Sequence, residues 1–277
     1  MKILHKGFAF RTLQAIAGSV FLGVLAACGG GSTGVSDGNA AVTAVTPPTA
    51  PVDAPGVQLQ SCTGIMPLGD SITLGVNGGY RNNLYTGLQQ NNCGVSYVGT
   101  LNDPNTHVAD KDHDGHAGFA IGDIAGSVTA WLGSTQPNIV LLMIGTNDTA
   151  WWTNNDAAEI GARHSALIDQ IRAARPNAWI FVGSIPPQTS VMIHGKPDGS
   201  ATTTSVDRAV LTGQFNAVVR SNVDARIAAG QQVRFVDVNS VLTAADLYDG
   251  IHPTEVAHAK VAQVFLDAVR AALVPVQ

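Results

Sequence analysis

Charge is thin in this sequence. Of 277 residues, 15 are Lys or Arg and 20 are Asp or Glu, 13% in all, with a formal net charge of -5. So few cations and a slight acidic excess exclude the basic face that nucleic-acid binding requires. Cysteine is scarcer still, with three residues, too few for a disulfide scaffold to stand in for a core. No internal repeat is found, which sets aside solenoids and propellers. What remains is 45% hydrophobic residues, enough for one large domain with its own core.

The amino end stands apart from that domain. "MKILHKGFAFRTLQ" carries Lys2, Lys6 and Arg11, and "AIAGSVFLGVLAAC" is apolar and ends in small residues. This is the order of a secretory signal. "LAAC", Leu25–Cys28, is similar to a bacterial lipobox and assigns 1–28 to a lipoprotein signal with Cys28 as the acylated residue. An ordinary cleaved signal or a membrane anchor helix are the alternatives. Residues 29–60 are Gly, Ser, Ala, Thr, Val and Pro without a helical or strand period, which reads as a tether. Residues 61–277 form the expected domain. Export places Cys62 and Cys93 in an oxidising compartment. Each lies just before an expected strand, so a bridge is geometrically reasonable, and two buried thiols are the alternative.

Within the domain, apolar runs alternate with helical patterns. Strands are expected at 64–69, 95–99, 138–145, 178–185 and 233–238, with helical patterns between and after them. The central strands are continuously apolar, as in a sheet covered on both faces. Alternation of this kind predicts βαβ units in a three-layer α/β/α, doubly wound, five-stranded parallel sheet. The long irregular segment 186–207 follows the fourth strand, where loops often contribute to a site.

Ligands bind such sheets beyond the carboxyl ends of the strands. Four segments fall at that edge. "MPLGDSITLG" puts Ser71 where a buried strand gives way to a helix. Asp and Ser are favoured there as helix caps, and a serine at that place also suits a nucleophile. "DGHAGFAIGDI" supplies Gly118, "GTND" supplies Asn147, and "DGIHP" supplies Asp249 and His252. A serine hydroxyl needs a base. His252 can be that base, with Asp249 three residues earlier to fix its tautomer. The backbone N–H groups of Ser71 and Gly118 and the side-chain amide of Asn147 are candidate donors to an oxyanion. Asp70 and Asp148 read as turn and loop braces, and His107, His164, His194 and His258 as surface or packing residues.

Taken in order, these four blocks resemble the SGNH (GDSL-type) hydrolases from Ile65 to about Val269. "IMPLGDSITLG…GGYR…YVGT…DHDGHAGF" is similar to carbohydrate esterase family 3, the acetylxylan-esterase branch. The resemblance implies a catalytic set of Ser71, Asp249 and His252 and an oxyanion hole of Ser71, Gly118 and Asn147. It implies a serine esterase deacetylating hemicellulose or a related polysaccharide. A short-chain or lipid ester hydrolase, and an inactive surface carbohydrate-binding protein, are the competing readings.

No cofactor is expected. "DKDHDGH" copies the start of an EF-hand loop, but the twelfth position is Ile121 where a bidentate glutamate is required. An irregular calcium site among Asp110, Asp112 and Asp114 is the open alternative. Trp151 and Trp152 follow "GTND" and are candidates to stack on a sugar ring. A monomer is expected, meeting a membrane only through the lipid anchor.

Overall fold

The computed structural model describes residues 61–152, 156–189, 192–193 and 206–273. Cys28, the tether and most of the 186–207 segment lie outside the described residues, as does His194.

The elements run β1 (Ile65–Gly69), α1 (Ser71–Leu74), α2 (Tyr80–Gln90), β2 (Leu101–Asn102), β3 (Asp112–Gly115), α3 (Ile121–Thr135), β4 (Ile139–Met143), α4 (Ala157–Ala174), β5 (Trp179–Gly183), β6 (Met192–Ile193), β7 (Val206–Asp207), α5 (Arg208–Ala228), β8 (Val233–Val236) and α6 (Glu255–Ala272). The main sheet has the order β2-β3-β1-β4-β5-β8. β3, β1, β4, β5 and β8 are mutually parallel, and β2 adds an antiparallel edge. The small β6–β7 pair is a separate antiparallel ribbon.

The period of two along the central strands sorts their side chains into two cores. Ile65, Ile139, Leu141, Met143 and Phe181 point to one face and pack with Leu84 and Leu88 of α2 and Val261, Phe265 and Val269 of α6. Met66, Leu68, Val140, Leu142, Ile180 and Val182 point to the other and pack with α3, α4 and α5 through Ile124, Ile168 and Phe215. Both faces are covered, so the strands are apolar throughout. The three-layer doubly wound architecture is therefore present.

The sheet departs from expectation at its second position. Residues 95–99 form no full strand. Val98 N–H donates to Ile65 O at 2.8 Å and Ile65 N–H to Ser96 O at 2.9 Å, pairing only the start of β1. The carboxyl half of β1 pairs with β3, in register Leu68 with Asp114 and Gly69 with Gly115. Two segments thus share one place in the sheet, and with β2 the sheet has six strands. The second strand was misplaced because Asp-His-Asp-Gly carries no apolar signal. Its side chains enter the interior already bonded: Asp114 accepts from the Thr100 N–H and hydroxyl, and His113 Nδ1 accepts from Gly115 N–H at 3.0 Å.

Cys62 and Cys93 are joined in a disulfide, with Cα atoms 5.5 Å apart. It ties the entry to β1 to the segment that pairs alongside it. Among the described residues, no helix is long and apolar enough to cross a membrane.

Candidate active site

β1 delivers its last residue, Gly69, directly beneath the Met143 carbonyl, where any Cβ would collide. The chain then turns. Asp70 caps α1, accepting from Ile72 N–H at 2.9 Å. Ser71 therefore stands at the first helical position, where its own N–H has no helical acceptor. The cap and the candidate nucleophile are two adjacent residues with separate duties.

Asp70 is fully buried. Burial raises its pKa to about 6 against the lowering effect of the Ile72 N–H. Its second oxygen lies near the Thr146 hydroxyl, outside hydrogen-bond geometry.

The loop before α6 brings His252 to Ser71. Ser71 Oγ lies 2.8 Å from His252 Nε2, and His252 Nδ1 lies 2.7 Å from Asp249 Oδ2. A carboxylate only accepts, so Nδ1 carries the ring proton and Nε2 is left to accept from the serine hydroxyl. Asp249 Oδ1 accepts from the backbone N–H groups of Ile251 at 2.9 Å and His252 at 2.7 Å. Burial raises the Asp249 pKa, but these bonds and the bond from the ring outweigh it and leave the carboxyl below its usual range. Thr189 N–H donates to Gly250 O at 2.9 Å, which fastens this loop to the end of the β5 connection.

The other two blocks are joined to each other and to β1. His116 N–H donates to Gly69 O at 2.9 Å. Asn147 Nδ2 donates to Phe119 O at 2.8 Å. Asp148 Oδ2 accepts from Ile121 N–H at 2.9 Å, so Asp148 is the brace expected of it. Gly118 has φ +80°, a conformation that glycine adopts without strain, and open space where a side chain would be. The Asn147 amide keeps a second N–H beyond the one given to Phe119. One edge of the sheet therefore gathers Ser71, Asp249 and His252 as a hydrogen-bonded series, with Gly118 and Asn147 in neighbouring segments.

Other expectations sort as follows. Trp151 and Trp152 close a π-type turn, Asp148–Trp152, and their side chains lie outside the described residues. His164 is buried against Phe215 with its pKa lowered to about 3 by burial, so it is a packing residue. Asp110 and Asp112 accept hydrogen bonds from Tyr97 N–H and Asn102 Nδ2, at 2.7 and 2.9 Å. Among the described residues, no three His, Cys, Asp or Glu side chains are grouped to hold a metal.

Two residues near the site, Arg81 and Tyr248, carry no reading from the sequence, and a third, His258, is the packing residue expected of it. Arg81 is 1% exposed, donates to the Thr73 and Leu74 carbonyls at 3.0 and 2.9 Å, and pairs with Asp103 at 3.1 Å, so it holds the carboxyl end of α1. The available signal was a lone arginine in the otherwise uncharged helix "YRNNLYTGLQQ". Tyr248 stacks on His252, with ring centres 5.7 Å apart. His258 is buried beside them on α6.

A hydrogen-bonded serine–histidine–carboxylate series at the carboxyl edge of a doubly wound sheet is the arrangement that hydrolases of the serine type use. Residues 68–260 match the GDSL-like lipase/acylhydrolase family. The chain belongs to that family, and its described domain is that of a carboxylic ester hydrolase of the SGNH type. It is 29% identical over 234 residues to a multidomain esterase of Ruminococcus flavefaciens, covering 74% of this chain and 28% of that one. The chain thus spans about a quarter of the length of that relative. Among solved structures, a family 3 carbohydrate esterase of Clostridium thermocellum is 31% identical, with a TM-score of 0.60, over 76% of this chain and 98% of that one. One from Talaromyces cellulolyticus is 25% identical, with a TM-score of 0.62, over 75% and 96%.

Proposed function

We propose that this protein removes acetyl groups from hemicellulose or a related polysaccharide through an acyl-enzyme on Ser71. The observation that carries the reading is the unbroken series Ser71 Oγ, His252 Nε2, His252 Nδ1, Asp249 Oδ2, with steps of 2.8 and 2.7 Å. Similarity to carbohydrate esterases of family 3 supports the acetylated-carbohydrate substrate.

In this reading His252 Nε2 takes the hydroxyl proton as Ser71 Oγ adds to the ester carbonyl. The tetrahedral oxyanion receives hydrogen bonds from the N–H groups of Ser71 and Gly118 and from Asn147 Nδ2. The imidazolium, steadied by the Asp249 carboxylate, gives its proton to the alcohol oxygen as the carbon–oxygen bond breaks. Water then repeats the sequence on the acyl-enzyme, releasing acetate and restoring the serine.

A series of p-nitrophenyl esters from acetate to octanoate, with acetylated xylan alongside, tests this. We expect kcat/KM to be highest for acetate. Each methylene without room should cost on the order of 1 kcal/mol or more. Octanoate as the best substrate would replace the carbohydrate reading with the lipid-ester one. No turnover of any ester would favour a binding protein.

We also propose that the chain is exported and anchored through Cys28, with Gly29 after it directing the lipoprotein to an outer membrane. "LAAC" supports this. Mass spectrometry should find a lipid-modified terminus at Cys28. An unmodified terminus elsewhere would overturn it.

A further inference from the structure

Two adjoining cavities open beside His252. The smaller, about 170 Å³, contains Ser71 and His252. The larger, about 530 Å³, runs between α2, the 76–79 turn and the start of α6, and includes Asn77, Asn82, Asn83, Thr86, His107 and Glu255 in its walls. The two share Val76, Tyr248, Pro253 and His258 in their walls, so they adjoin.

The chemistry of the ester assigns its halves to different sides. His252 must protonate the departing alcohol oxygen, so the alcohol lies on the His252 side. The acyl group and oxyanion belong with Gly118 and Asn147. From this we infer that the larger cavity is the glycan subsite, holding the sugar units that carry the ester and follow on from it. The inference rests on the acetyl-glycan reading above and adds where the glycan sits.

The walls suit such a ligand. Amides, a hydroxyl and a carboxylate offer both donors and acceptors, as sugar hydroxyls require. Val76 and Tyr248 are 69% and 60% exposed, among the few large apolar side chains that the described residues leave to solvent. Both stand at the junction of the cavities, and the Tyr248 ring offers a flat face to a pyranose. His258 is 6% exposed, and its Nδ1 has no hydrogen-bond partner. Burial lowers its pKa to about 4, so it is neutral at ordinary pH. No Lys or Arg is among the described residues lining either cavity, which disfavours an anionic ligand. The volume lies in the range of small-molecule sites.

The test fills the cavity at exposed positions of α2. Thr86→Trp and Asn83→Trp are made separately, each checked for folding by its melting curve. Acetate release is measured from acetylated xylo-oligosaccharides and from ethyl acetate, whose alcohol has two carbons. The ratio of kcat/KM for oligosaccharide over ethyl acetate should fall tenfold or more in both variants. A ratio within twofold of the parent in a folded variant overturns the subsite while leaving the acetyl-glycan reading standing. A parent enzyme inactive on acetylated glycans overturns that reading, and the subsite with it. Loss confined to octanoate esters would show that the cavity takes an acyl chain, which also overturns it.

Discussion

Ser71 Oγ and His252 Nε2 lie 2.8 Å apart although 181 residues separate them. One stands at the end of the first strand and the other just before the last helix, so the whole sheet must be assembled before the pair exists. Ser71→Ala should lower kcat by about 10⁴-fold or more while leaving the melting temperature close to that of the parent. Asp249→Asn should lower kcat by roughly 10⁴, since it favours the wrong ring tautomer. Steady-state kinetics on an acetate ester check both. A Ser71→Ala protein with substantial turnover would remove Ser71 as nucleophile.

The oxyanion donors have distinct signatures. Asn147→Ala should reduce kcat by roughly 10²–10³. Gly118→Ala meets no steric obstacle, but φ +80° strains any other residue, by on the order of 1 kcal/mol. We expect a small loss of stability and a larger loss of kcat as the Gly118 N–H is pulled out of line. A variant losing stability and activity in proportion would show that Gly118 serves the fold alone.

Much of this was legible because each block states its chemistry locally. "GDS" encodes a cap and a hydroxyl in consecutive residues, and "DGIHP" brings carboxylate and imidazole together within one turn. The apolar runs at β4 and β5 gave their strands directly, since strands buried on both faces leave a continuous signal. Sequence reading failed where burial was achieved by polar bonding. β3 is Asp-His-Asp-Gly, satisfied by Thr100 and by its own backbone. Arg81 acquires meaning only from residues brought to it by packing, such as Asp103 from 22 positions away. The cavity between α2 and α6 arises from two helices about 170 residues apart in sequence, and periodicity carries no information on such distances.

The disulfide gives a stability prediction. Cys62 and Cys93 enclose a separation of 31 residues, for which the chain-entropy model gives about 3–4 kcal/mol. Replacing both with Ser, or reducing the protein, should lower the melting temperature by roughly 10 °C. Kinetics at low temperature should change little, because the bridge lies at the amino ends of its segments, away from Ser71. Calorimetry with and without reductant measures this, and an unchanged melting temperature would mean that the bridge adds no stability.

Asp70 yields a prediction with a definite sign. Its folded pKa is raised by burial to about 6 from an ordinary value of 3.8. Between those values the folded state holds a proton that the unfolded chain has released, so stability falls as pH rises through this window. Below pH 3.8 both states are protonated and the effect vanishes. Above pH 6 both are ionised, and the full penalty of about 3 kcal/mol applies. Asp70→Asn keeps an oxygen to accept from Ile72 N–H and removes the titration. The variant should therefore match the parent near pH 4 and become progressively more stable than it up to about pH 6, with a constant margin beyond. Denaturant midpoints for the two proteins, measured at half-unit steps from pH 4 to 8, read this directly. A margin that shrinks as pH rises would mean that the buried carboxylate is stabilised by its surroundings, with His252 nearby outweighing desolvation.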